Sequence, residues 1–62
     1  DGDATVVPTT SYDTILNIYE QFTVPTLTVT GSGTLIVNNW GIVQALVNAS
    51  ATIELHNYGV WP

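Results

Sequence analysis

Along most of the chain apolar and polar side chains alternate, and the alternation is written more than once. Residues 33–43 read GTLIVNNWGIV, and residues 51–61 read ATIELHNYGVW. At a spacing of 18 residues, Thr34/Thr52, Asn39/Asn57 and Gly41/Gly59 are identical. Leu35/Ile53, Val37/Leu55, Trp40/Tyr58 and Ile42/Val60 keep their character. Self-similarity at a fixed period is the mark of a repeat architecture. Run backwards, the period predicts columns: aromatics Phe22, Trp40 and Tyr58; amides Gln21, Asn39 and Asn57; aliphatics Val24, Ile42 and Val60; and Tyr19 with Val37 and Leu55.

These columns predict an all-β fold, a small β-solenoid-like repeat of about 18 residues. Each copy forms one coil, and equivalent positions stack about 4.8 Å apart as parallel strands. Stacked amides hydrogen-bond along such a ladder, and stacked aromatics pack. An antiparallel meander, closing into a sandwich or barrel, fits the same pattern. In that arrangement Gly31-Ser32-Gly33 turns a hairpin, Val29 opposes Leu35, and Leu27 opposes Val37. Two antiparallel strands per unit also yield the period, so both arrangements stand at this point.

Residues 1–14 read as an extended N-terminal arm and residues 15–62 as a single β-rich repeat domain. Pro8 biases Val7 to an extended backbone. The arm either frays or adds a strand to a neighbouring subunit. Residues 13–22 (DTILNIYEQF) are ambiguous. Asp13 could cap a short helix presenting Ile15, Ile18, Tyr19 and Phe22, yet strand alternation fits equally. Residues 26–30 (TLTVT) read as a strand.

Composition turns this architecture toward assembly. A chain of 62 residues buries only about 60% of its unfolded surface, and domains this small usually need staples. There is no Cys, so disulfides are excluded. One His and five carboxylates provide no zinc-ligand set, and no cofactor motif is present. What remains is burial against other copies or a larger partner. Charged residues are 8% of the chain, against about 25% in ordinary domains. Lys and Arg are absent and the formal charge is −5. Without cations there is no counterion-releasing contact with nucleic acid and no attraction to anionic lipid. Edge strands also lack the Lys that commonly guards them against strand-to-strand pairing. No run approaches the ~18 apolar residues of a membrane span, and no signal-peptide pattern is visible.

The chemistry-bearing candidates are few. His56 has no Ser or Cys at a recognisable spacing, so no catalytic group is assigned. It reads as a turn residue, in the repeat position of Asn38 and Glu20. Asp1-Gly2-Asp3 opens like a calcium loop, but the remaining ligands do not follow. Asn48-Ala49-Ser50 is a glycosylation sequon. Trp61 is too large to leave in water and is expected to pack on a partner.

At GSGTLIVNNWGIV and ASATIELHNYGVW the chain resembles the β-solenoid repeats of surface adhesins and of phage tail or fibre proteins. The resemblance implies a structural or adhesive role with no catalytic residues. The threonines of residues 26–30 are similar to the ice-binding face of some β-solenoid antifreeze proteins, although Gln44, Leu46 and Asn48 hold the equivalent positions. The sequence thus predicts a non-enzymatic structural subunit, without cofactor or metal. It would form a homo-oligomer (trimer or filament) or decorate a larger protein shell, in a virion or outside the cell. The alternative is a carbohydrate- or ice-binding module using Tyr19, Trp40, Tyr58 and Trp61.

Overall fold

The computed structural model describes residues 1–62 and contains strands but no helix. The chain winds through three coils. The first holds β1 (Ala4–Val6), β2 (Thr14–Ile18) and β3 (Thr23–Val24). The second holds β4 (Leu27–Val29), β5 (Thr34–Asn39) and β6 (Ile42–Val43). The third holds β7 (Leu46–Asn48) and β8 (Thr52–Asn57), and closes with Val60 bridged to Ile42. Strands of successive coils stack into three sheets, β1-β4-β7, β2-β5-β8 and β3-β6. Every ladder is parallel.

The parallel ladders exclude the meander. Leu27 faces Leu46, and Leu35 faces Ile53, rather than each other's strands across a hairpin. The reason lies in the repeat: between β5 and β8 parallel stacking places like on like, Leu35 over Ile53, Val37 over Leu55 and Asn39 over Asn57. Gly31, at φ +113°, turns the corner between β4 and β5, a conformation that other residues rarely adopt. The ambiguous residues 13–22 form β2 and a turn, in keeping with their β-branched and aromatic content. The segment read as an arm contributes β1 to the first coil, where Ala4 lies opposite Leu27.

Between the second and third coils the β5–β8 ladder keeps the expected spacing of 18, with Thr34 opposite Thr52 and Asn39 opposite Asn57, while the β4–β7 ladder runs at 19, with Leu27 opposite Leu46. The first coil departs from it. Ala4 lies opposite Leu27, Thr14 opposite Leu35 and Thr23 opposite Ile42, so the offset falls from 23 to 21 to 19. Two corners of the first coil are therefore two residues longer. One is the Pro8-containing connection from β1 to β2. The other replaces Trp40-Gly41 with Tyr19-Glu20-Gln21-Phe22.

Inward-pointing positions alternate along each strand, and the middle coil is the core. Leu27, Val29, Leu35, Val37 and Val43 are completely buried. Each buried aliphatic of this size contributes about 1.5–3 kcal/mol. The outer coils cover the core from either side but are themselves half covered. Ala4, Val6 and Leu16 below, and Leu46, Ile53 and Trp61 above, are only partly buried.

Candidate assembly surfaces

The polar side chain with the most hydrogen bonds is Asn39, at the corner after β5. Asn39 is fully buried. Its Oδ1 accepts the Gly41 N–H at 3.1 Å. Its Nδ2 donates to the Val60 carbonyl and to Asn57 Oδ1, each at 3.0 Å, and approaches the Gly41 carbonyl at 3.3 Å. Asn57 repeats the device one coil higher, with its Oδ1 accepting the Gly59 N–H at 3.3 Å. A side-chain amide can satisfy a corner and the next coil together because it is both donor and acceptor. The glycine two residues later is required by space. A Cβ on Gly41 would lie 2.5 Å from the Phe22 carbonyl oxygen and 2.6 Å from that of Tyr19.

The first coil does not continue this column as expected. Ile18, not Gln21, lies opposite Asn39. A second amide row runs outside, where Asn38 Nδ2 donates to Asn17 Oδ1 at 3.0 Å. His56 occupies its third position and meets Glu54 at 3.1 Å on the exposed surface. The column expected to be aliphatic runs through Thr23, Ile42 and Val60, with Thr23 in the place expected for Val24, which lies opposite Val43 and is buried.

The aromatic column is real but has a different first member. Tyr19 stacks on Trp40 with centroids 6.2 Å apart, and Trp40 stacks on Tyr58 at 5.4 Å. Phe22 lies in the adjacent turn, its N–H donating to the Tyr19 carbonyl. The shift follows from the longer corner, which moves the first coil's register to 21 residues before it recovers to 19. A signal for it exists in the sequence: an Asn two residues before an aromatic, in Asn17-x-Tyr19 and Asn38-x-Trp40. Trp40 lies between the two tyrosine rings and is still 45% exposed. A recess of about 330 Å³ beside the stack is lined by Tyr19, Glu20, Gln21 and Trp40.

The two ends of the stack are open. A parallel strand directs the backbone groups of alternate residues to opposite sides. The N–H groups of Thr52 and Tyr58 bond down to Gly33 and Asn39. The polar groups of Ile53, Leu55 and Asn57 therefore point up, where this chain offers no partner strand. Below, the Ile18 carbonyl accepts from Trp40, so the groups of Ile15 and Asn17 point down. The chain makes 27 backbone–backbone hydrogen bonds, where about 40 would be usual for its length. Apolar interior is exposed at both ends. Leu55 is 37% exposed above. Below, Ala4, Leu16, Ile18, Phe22, Val24 and Leu27 contribute to a recess of about 170 Å³.

One edge carries a cap. The Asp1 carboxylate accepts the Thr23 N–H at 2.8 Å, and Asp3 accepts that of Thr26 at 3.1 Å. This is how Asp1-Gly2-Asp3 is used, as a backbone acceptor pair at the start of the first coil. Trp61, expected on a partner, packs against this chain's own core, because it follows Val60 into the inward column of Val43. Asn48 is exposed, but its amide is engaged in the corner, donating to the Ala51 carbonyl at 3.0 Å and accepting the Ala51 N–H at 3.1 Å. The Ser50 hydroxyl donates to the Gly31 carbonyl. Thr28 lies opposite Thr5 and Val47, so the outward face of that sheet is not a continuous threonine array. No cluster of three or more His, Asp or Glu is placed to hold a metal ion, and no helix is long and apolar enough to cross a membrane. Comparison with protein-family models, with curated proteins and with solved structures finds no match to this chain.

Proposed function

We propose that this chain is a non-enzymatic structural subunit that works by assembling. It assembles with copies of itself, in a filament or closed trimer, or decorates a larger protein shell. The settings that fit are a virion fibre or decoration protein and an extracellular filament. The observation that carries the reading is the pair of open coil ends. Each combines unpaired strand edges with exposed interior side chains such as Leu16 and Leu55. An unguarded strand edge is a template for another strand, and repeat stacks need polar caps to stay monomeric. With no Lys or Arg anywhere, neither end carries a basic guard. Negative-stain electron microscopy of the pure chain at micromolar concentration tests this. Filaments or uniform particles larger than one chain are expected; a field without particles, alongside a folded monomer in solution, would count against it.

A carbohydrate-binding reading draws on the recess beside Tyr19 and Trp40. Sugars stack on open aromatic faces, and here only the outer faces of Tyr19 and Tyr58 are left uncovered by the stack. Quenching of tryptophan fluorescence by a panel of sugars separates the readings. The assembly account expects no sugar to protect Trp40 from acrylamide.

A further inference from the structure

Resting on the assembly reading, we infer that the partner is a second copy stacked head to tail. Its first coil sits on the third coil of the copy below, in the register the coils already use within one chain.

The two ends are complementary because both fit the same middle coil. Thr14 and Ile53 both lie opposite Leu35, and Leu16 and Leu55 both lie opposite Val37. Tyr19 and Tyr58 stack on opposite faces of Trp40. Extending the columns therefore sets Ile53 against Thr14, Leu55 against Leu16 and Tyr58 against Tyr19 of the arriving copy. The backbone phases agree. Upward groups belong to Ile53, Leu55 and Asn57, and downward groups to Ile15 and Asn17, which is the alternation one parallel ladder needs. A slip of one residue would turn every apolar side chain outward. The amide device also extends. Asn39 donates upward to the Val60 carbonyl. Val60 shares its column with Ile42 and Thr23, so Asn57 meets the downward Thr23 carbonyl of the arriving copy.

One contact must open. Asp1 lies three residues before Ala4, whose column passes through Leu27 and Leu46, so Asp1 falls in the column of Val43. Trp61 falls in the same column, one residue after Val60. The arriving copy's Asp1 and the lower copy's Trp61 thus claim one place. Stacking exchanges the bond from the Thr23 N–H to Asp1 for a bond from that N–H to a backbone carbonyl of the copy below. Asp1 is a detachable cap on an edge that is otherwise ready to pair.

The chain has no Cys, so cross-linking can read the register directly. Ile15 and Glu54 share an outward column with Ile36 between them. Within one chain they are two strand spacings apart, about 9.6 Å. This exceeds the roughly 4.4–6.8 Å that a disulfide spans. Across the proposed contact they are adjacent. Under mild oxidation the double variant Ile15→Cys/Glu54→Cys should give a ladder of multiples of 6.7 kDa. Each single variant, and the mismatched pair Ile15→Cys/Val47→Cys, should give only background. Efficient dimers from Glu54→Cys alone would mean a two-fold, top-to-top contact and overturn the proposal. An assembled native mass without the ladder would overturn this register while leaving self-assembly standing. A folded monomer at every concentration would overturn both. Asp1→Ala should start the ladder at lower concentration; a later onset would refute the exchange at Thr23.

Discussion

Two asparagines make the same corner, one buried and one exposed, and their replacement measures what the middle coil does. Asn39→Ala leaves the Gly41 N–H buried without an acceptor, and an orphaned buried donor costs about 1–3 kcal/mol. It also removes the hydrogen bonds to Asn57 and to the Val60 carbonyl, at about 0.5–1.5 kcal/mol each. The sum is about 4 kcal/mol, against a total stability of about 3–9 kcal/mol for a domain of this length. Asn57→Ala removes the bond from Asn39 Nδ2, while at its own exposed corner water replaces it for the Gly59 N–H, and it should cost about 1 kcal/mol. Urea unfolding followed by tryptophan fluorescence and far-UV circular dichroism, at the lowest workable concentration, measures both. Loss of the folded baseline in Asn39→Ala with a cooperative transition in Asn57→Ala agrees with the account. Equal costs, within about 1 kcal/mol, would show that the coils do not bury Asn39 as described.

Other perturbations follow from the same stack. Leu35→Ala, in the fully buried middle coil, should cost about 2–5 kcal/mol in the same unfolding assay. Leu55→Ala should cost the isolated chain about 1 kcal/mol, its side chain being part exposed, yet raise the concentration at which sedimentation first detects assembly. Trp40→Ala removes both aromatic contacts and should cost about 1–3 kcal/mol, with collapse of the near-UV circular dichroism signal. Gly41→Ala drives a Cβ into two backbone carbonyls and should leave a chain without native far-UV dichroism.

What could be read from the sequence was what the chain repeats. Asn39-Trp40-Gly41 and Asn57-Tyr58-Gly59 perform the same corner, so their spacing of 18 passes directly into the β5–β8 register. The choice between parallel and antiparallel pairing was not legible, because residues 26–38 carry the alternation and the glycines of a hairpin as well as those of a coil. The first coil was misplaced for a physical reason. As the outermost layer on its side, it needs no amide under Asn39, and Ile18 serves. Its extra corner residues fall between the paired segments, outside the β2–β5 and β3–β6 ladders, so the corner lengthens without breaking either ladder. A fixed period therefore landed on Gln21, Phe22 and Val24, where the structure uses Ile18, Tyr19 and Thr23. The size of Trp61 announces a need for a neighbour without saying which one. It was not legible that the last inward column of the same chain would take it.

The most direct test of the assembly account is the native mass of the particle over a dilution series, by sedimentation or native mass spectrometry. Particles larger than one chain, losing mass only on dilution, are the predicted result. A folded 6.7 kDa species at every concentration would contradict the account, since the open ends would then need no covering.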